Sequence, residues 1–392
     1  MNLSQLCRKH EQKVIEWRRE FHMHPEVSYQ EVWTSSRIQE ELGRMDIPFE
    51  SIEGTRSFVG IIEGINPGRT IALRADMDAL PVQEENDVPY KSCIDGVMHA
   101  CGHDAHVAML LGAAKVLSEL RSSFEGKIFL CFQSAEEIAG GAVELINYLE
   151  SKGGVDQVIA LHVWSSIKAG TIMLRDGPTM AGARGIEICV KGRGGHASRP
   201  DLAKDPIKAA CELVLKMSSI PSNFYDVLDH SVVYIGKFQG GTMGNVLPHK
   251  VVLSGGCRFF KIGGSDEIVR HVRRIAEGVA RIYDVDIEVE TPRANVPPVV
   301  NHRRSVERAR ELVAQVEGLT VDDTLPPVCA SDNYSFFLLK YPGFYGFLGA
   351  MNEDKGIVWE QHNNRFDIDE TVLRKGYEFM CGYALDFLGQ KM

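Results

Sequence analysis

The chain has 392 residues, 44% of them hydrophobic and 24% charged, the balance of an ordinary globular protein and a length suited to two domains. Its formal net charge of -10 at pH 7 disfavours nucleic acid as a partner, because phosphate binding needs a basic surface. No apolar stretch approaches a membrane span and the first residues have no apolar core of signal-peptide type; nine cysteines lie scattered without a disulfide-like framework, so a cytoplasmic protein with reduced thiols is expected.

Helical spacing of apolar residues predicts a first helix over Leu3–Phe21 and a second over Val32–Leu42. Phe58–Ile62 and Thr70–Arg74 read as neighbouring strands. A strongly apolar helix follows over Val107–Leu120, then a buried strand at Lys127–Gln133, a helix at Ala142–Glu150 and a buried strand at Gln157–Leu161. Strands alternating with helices imply a layered α/β sheet. The pattern changes near Met180. Arg184–Lys191, Ser231–Phe238, Lys250–Phe260 and Asp286–Thr291 read as strands, and Pro206–Ser218 and Asp266–Tyr283 as helices. That order is β-α-β-β-α-β, the ferredoxin-like arrangement. After Pro297-Pro298 come a helix (Arg304–Val316), a strand-like run (Gly343–Leu348) and a last helix (Glu370–Leu388). The expectation is one discontinuous catalytic domain, residues 1–180 and 294–392, interrupted by a smaller domain over 181–293.

The densest chemical signal is His99-Ala100-Cys101-Gly102-His103-Asp104-Ala105-His106. Imidazoles and a thiol are the donors that hold borderline-soft metals such as zinc, nickel, cobalt or manganese. Asp104 is placed to orient a ligand imidazole or to cap the helix that follows. The alternative is a set of capping histidines around a buried thiol. Gln133-Ser134-Ala135-Glu136-Glu137 follows an apolar strand. Adjacent carboxylates there point apart, so one can hold metal while the other faces substrate as a base. His162 and the pair Asp76 and Asp78 also follow apolar runs. Sites in open α/β sheets form beyond the carboxyl ends of the strands, so these groups can converge on one crevice. Converging carboxylates, imidazoles and a thiol need a cation to offset their repulsion and burial.

At these residues the sequence resembles the bacterial and plant metal-dependent amidohydrolases that include hippurate hydrolase, N-acyl-amino-acid deacylases and auxin-conjugate hydrolases, within the wider aminoacylase and carboxypeptidase metallopeptidases. The matching segments are His22–Glu26, Arg74–Glu84, Met98–His106, Ala135–Glu137, Gly192–Ala197, Asn245–Pro248, and Gln361-His362 with Phe366-Asp367, in the family's order and over nearly the whole chain. The resemblance implies a zinc-peptidase-like catalytic domain, a mixed sheet flanked by helices, with an inserted ferredoxin-like α+β lid and dimerisation domain. It implies two divalent ions (Zn, Mn, Co or Ni) held by Cys101, His103, Glu137, His162 and His362. It implies Glu136 as general base and acid, His196 as oxyanion stabiliser, and Asn245 and Arg258 as substrate-binding groups. Asp76, Asp78 and Asp104 support the ligands. The implied reaction is hydrolysis of an N-acyl amino acid by a homodimer, with no nucleic acid or membrane partner. The alternatives are a dipeptidase or carboxypeptidase on the same machinery, and a metal-binding protein without activity.

The chain departs from the family's usual pattern at four places. Ser134 stands where proline is common, and Ala330–Tyr334 replaces a glycine-serine-glutamate-aspartate run. Gln361–Arg365 lacks the leucine before and the proline after the histidine, and Gly255–Phe259 differs around Arg258. No proposed ligand is lost, so these departures bear on the substrate more than on the reaction.

Overall fold

The computed structural model describes residues 2–226, 228–292 and 294–389. The chain divides into two units, one of Met1–Thr179, Val300–Pro326 and Asn333–Met392, the other of Met180–Val299 and Pro327–Asp332.

The first unit opens with helix α1 (Leu3–Met23), started by a capping box in which Asn2 and Gln5 exchange side-chain-to-backbone hydrogen bonds. Its buried stripe, Leu6, Cys7, Val14, Trp17 and Phe21, repeats at helical spacing. Helix α2 (Val32–Arg44) takes its cap from further away: the Glu26 carboxylate accepts the N–H groups of Trp33 and Thr34. Strands β1 (Phe49–Ser51), β2 (Phe58–Glu63) and β3 (Thr70–Asp76) lead to α3 (His103–Glu119) and β4 (Lys127–Gln133). Then come α4 (Ala142–Ser151), β5 (Gln157–Lys168), β6 (Thr171–Met173), α5 (Arg303–Val313), β7 (Thr320–Asp322), β8 (Gly343–Met351) and α6 (Thr371–Phe387).

Among the described residues these strands form a mixed sheet in the order β1-β2-β4-β3-β5-β8-β6-β7. The central strands β4, β3, β5 and β8 run parallel and are buried on both faces, which is why they read as unbroken apolar runs rather than as alternating ones. β2 and β3 are not neighbours, contrary to expectation. β4 lies between them, antiparallel to β2 and parallel to β3. The link from β2 to β3 spans one empty strand position, roughly 10 Å at ~4.8 Å per strand, and the α3 crossover returns the chain to fill it.

α3 starts four residues earlier than its apolar pattern suggests, at His103, and is buried almost throughout. It packs against α1, α6 and the sheet in one apolar core. Val107, Leu110, Leu111, Val116 and Leu117 each contribute roughly 1.5–3 kcal/mol by leaving water. That burial is what fixes the start of α3 in space.

In the second unit the strands Ser231–Gly240, Lys250–Phe259, Gly182–Lys191 and Asp286–Glu290 lie side by side in that order, all antiparallel. The helices Pro206–Ser218 and Gly264–Tyr283 cover the sheet with a separate core around Ile186, Ile188, Val190, Leu213, Leu253 and Val272. The chain order β-α-β-β-α-β with this strand order is ferredoxin-like. A short ladder pairs Gly195–His196 with Val246–Leu247. No described helix is long and apolar enough to cross a membrane.

Candidate metal centre

Four segments of the first unit bring donors together near the carboxyl ends of the central strands. The first is the turn into α3. Gly102 takes a left-handed backbone (φ +92°) between Cys101 and His103, and the ligand atoms of both reach one donor group. A Cβ on Gly102 would sit 2.3 Å from Val163 Cγ2, so nothing larger fits without displacement.

The second segment follows β4. Ala135 and Ala139 both have positive φ and curl residues 135–139 into a tight loop. The Asp78 carboxylate holds that loop, accepting the N–H of Glu136 at 3.0 Å and of Glu137 at 3.1 Å. Its backbone carbonyl lies 2.8 Å from His103 Nδ1. Asp78 therefore ties the imidazole of one segment to the carboxylate pair of another.

The third segment is β5. It does not stop after Leu161 but runs on to Lys168. The last β3–β5 pair is Arg74 with Ala160, so His162 sits just beyond the point where β5 loses its neighbour on that side. His362 arrives from near the end of the chain. Its N–H donates to the Ala100 carbonyl at 2.7 Å, and its φ of +66° is unusual for a residue with a Cβ.

The resulting distances are short. Cys101 Sγ is 3.5 Å from His162 Nε2, and Glu137 Oε1 is 3.9 Å from His103 Nε2 and 3.6 Å from His362 Nε2. Two donor triads, Cys101–His103–His162 and Cys101–Glu137–His362, each keep their ligand atoms within 4.8 Å of one another and share the Cys101 sulfur. Among the described residues, the buried atoms His103 Nε2 and Glu137 Oε1 have no hydrogen-bond partner. Buried polar atoms are rarely left so, and a cation between them would satisfy both. Burial, with help from Glu137, pushes the Cys101 thiol well above its usual range, and burial also raises the Glu137 carboxyl. Burial and the adjacent His106 hold His162 well below the ordinary imidazole range, keeping a lone pair available. A thiolate and a carboxylate ionise together here only against positive charge, so the donor set fits metal.

Glu136 lies beside this cluster. Its Oε1 accepts the Asn333 N–H at 3.1 Å. The Asn333 side chain is braced in turn: Oδ1 accepts from Gln133 Nε2 at 2.7 Å and Nδ2 donates to the Gly140 carbonyl at 2.7 Å. At Ser134 the N–H donates to Ser57 Oγ at 3.0 Å, a contact that a residue without an N–H could not make. Two of the departures noted in the sequence are thus hydrogen-bonding parts of this loop.

Asp76 accepts from His106 Nδ1 and from Arg74, each at 2.5 Å. Among the described residues, Asp104 makes no capping bond and no hydrogen bond to a proposed ligand. Its carboxylate takes Arg18 Nε and His22 Nδ1, both at 2.8 Å, clamping α1 to the start of α3.

In the second unit, His196 is exposed on its short strand. Its Nδ1 accepts the Ser198 N–H at 3.2 Å, which leaves the ring proton on Nε2. Ala197 donates to the Asn245 carbonyl, so His196 and Asn245 lie on the same small ladder. Arg258 is not on that ladder; it lies on the strand Lys250–Phe259, paired with Ala183 and Val232.

Composition and spacing missed Glu31, Asn333, Gln133 and Gln361. Glu31, pushed up to about 7 by burial, accepts the Ala135 N–H at 2.7 Å. Glu31, Asn333 and Gln361 act through backbone groups of distant segments and Gln133 through the side chains of Arg74 and Asn333, and the available hint was only a polar residue inside or beside an apolar run.

A family model described as Peptidase family M20/M25/M40 matches residues 72–386. Thermostable carboxypeptidase 2 of Saccharolobus solfataricus is 38% identical over 366 residues, 93% of this chain and 92% of that protein. N-acetylcysteine deacetylase of Bacillus subtilis is 33% identical over 378 residues, 95% of this chain and 96% of that protein. The crystal structure of a Bacillus subtilis dinuclear metal binding peptidase from M20 family superimposes with a TM-score of 0.85 at 30% identity, covering 98% of this chain and 99% of the other.

Proposed function

Because this chain belongs to peptidase family M20/M25/M40, a family of metal-dependent hydrolases, we propose that it holds two divalent ions and hydrolyses the amide bond of N-acyl amino acids, releasing a carboxylic acid and an amino acid. The observation that carries this reading is the pair of donor triads sharing Cys101, with Glu136 alongside. We assign Cys101, His103, Glu137, His162 and His362 as ligands. The mixed sulfur, nitrogen and oxygen donors suit zinc, manganese, cobalt or nickel. Cys101 can bind only as a reduced thiolate, which suits a cytoplasmic setting. When bound, the ions lower the pKa of water and polarise the scissile carbonyl.

The chain's own groups do the rest. Glu136 takes the proton of the attacking water and passes it to the leaving nitrogen. The Asn333 N–H on Oε1 and the Asp78 carboxylate on the Glu136 N–H hold that carboxylate in one orientation. We assign His196 to the oxyanion; its Nε2–H is the donor that role needs. Asn245 and Arg258 are assigned to the substrate's carboxylate or carbonyl, the arginine to the carboxylate because its planar fork matches that group. We include a homodimer through the second unit, supported by the edge strand Ser231–Gly240 with exposed Val232, Tyr234 and Phe238.

The 38% identical carboxypeptidase favours a second reading, in which the acyl group is itself an amino acid or peptide. Both readings are tested by one screen of N-acetyl, N-benzoyl and indole-acyl amino acids against dipeptides, with manganese, cobalt, nickel or zinc added. Faster turnover of the acyl amino acids supports the first reading and faster turnover of dipeptides the second. Glu136→Gln should retain both metal equivalents and lose roughly 10²–10⁴-fold in turnover. Near-wild-type turnover in that variant contradicts the base assignment.

A further inference from the structure

The segment His99–His106 carries three histidines, and the centre described above uses only His103. His106 is buried on α3, close enough to Asp76 and His103 for the three to form a third possible donor group. Its hydrogen bonds exclude that role. Nδ1 faces Asp76 Oδ1 at 2.5 Å, and Nε2 lies 3.0 Å from the Val163 N–H. An N–H can only donate, so Nε2 accepts and the ring proton is on Nδ1, directed at Asp76. Both ring nitrogens are committed, and neither has a lone pair left for an ion.

Val163, the partner of His106, follows His162 in β5 and is held at both backbone groups. Its N–H goes to His106, while its carbonyl accepts His162 Nδ1 at 2.6 Å and Gln361 Nε2 at 3.0 Å. The bond from His162 Nδ1 fixes that ring's tautomer and turns Nε2 toward Cys101. Gln361 precedes His362 and is itself held by Ser165 Oγ at 2.5 Å. The backbone of Val163 is therefore the joint between two proposed ligands that lie far apart in sequence.

We propose that His106 is a positioning residue for the metal centre: polarised by Asp76, it fixes the Val163 backbone, which aims His162 and anchors the loop carrying His362. The inference rests on the ligand assignment proposed above. Ligand-orienting partners one step removed from a metal commonly alter affinity by 10–100-fold when removed.

Two substitutions separate this role from its alternatives. His106→Asn keeps a donor for Asp76 but offers nothing at the ε position to the Val163 N–H. His106→Gln places an oxygen there. Each variant and the wild type are made metal-free, titrated with cobalt against a competing chelator, and examined by the visible spectrum of the bound ion. His106→Asn should raise the cobalt dissociation constant about 10–100-fold and change the spectrum, and His106→Gln should stay within about threefold of wild type. Wild-type affinity and spectrum in His106→Asn overturn the proposal. Equal loss of one cobalt equivalent in both variants also overturns it, by making His106 a ligand. If His106→Asn does not fold, Gln361→Ala releases Val163 from its carbonyl side, and unchanged cobalt binding in that variant overturns the proposal as well. A wild-type protein that takes up no cobalt instead overturns the ligand assignment itself.

Discussion

Replacing Gly102 by alanine tests whether the turn between Cys101 and His103 is as constrained as its geometry indicates. The backbone there has φ +92° and ψ 17°. Holding an L-residue in that region costs roughly 1–2 kcal/mol. The new methyl would also lie 2.3 Å from Val163 Cγ2 and 3.4 Å from Phe366 Cζ. Val163 is β-branched, fully buried and held by backbone hydrogen bonds on both sides, so it cannot rotate away cheaply. Forcing an extra methyl into such packing adds about 1–3 kcal/mol. The expected total is about 2–5 kcal/mol, with the strain delivered to the residue that orients His162. Gly96→Ala is the control, because Gly96 has φ +75° with open space around it and so reports the backbone cost alone. Urea unfolding of the metal-free proteins by far-UV circular dichroism, paired with metal content after reconstitution, measures both effects. Equal losses for Gly102→Ala and Gly96→Ala, with full metal content in both, would refute the reasoning.

Arg18→Met should cost about 3–5 kcal/mol, because it leaves the fully buried Asp104 carboxylate without its guanidinium partner; urea midpoints of the two proteins check this, and a change below about 1 kcal/mol contradicts it. Burial alone would raise the Asp369 carboxyl, but hydrogen bonds from Lys355, Asn352 and Thr371 outweigh it and bring the group to about 2. A carboxyl lower in the folded than in the unfolded chain adds stability above about pH 4 that is lost as pH falls toward 2. Asp369→Asn should therefore be less stable than wild type near neutrality by about 1 kcal/mol, since the Lys355 side chain is half exposed and screened, and the gap should close on acidification; a constant gap contradicts the assignment. Stripping metal with a chelator should lower the unfolding free energy, by about 4 kcal/mol relative to protein held at ~1,000 times its dissociation constant, and identical melting curves with and without chelator would count against the metal centre.

Much of this architecture is readable in the order of residues. The apolar runs around Leu73, Leu130 and Ile159 are strands because strands buried on both faces carry few polar side chains. The β-α-β-β-α-β succession of the second unit follows from turn signals and periodicity, although only Ser231–Gly240 and Lys250–Phe259 pair as near neighbours in sequence, and Gly182–Lys191 finds both its partners far along the chain. The chemistry of the centre is readable too, since a thiol, imidazoles and paired carboxylates at the ends of apolar runs are costly without a cation.

Which contacts each member of the cluster makes is decided only by the tertiary structure. His103 and His106 lie three residues apart on one helix, yet one has an orphaned nitrogen facing Glu137 and the other spends both nitrogens on Asp76 and Val163. Asp104, beside His103, turns to Arg18 on α1. His162 sits within a strand and not at its end, because β8 goes on pairing with β5 there, Phe347 opposite His162, after β3 has stopped. The sequence by itself determined which donors exist and that they gather beyond the sheet. Their division into prospective ligands, braces and clamps depends on hydrogen bonds between segments 30 to 198 residues apart, and such partners become neighbours only after the strands have been ordered and the helices packed.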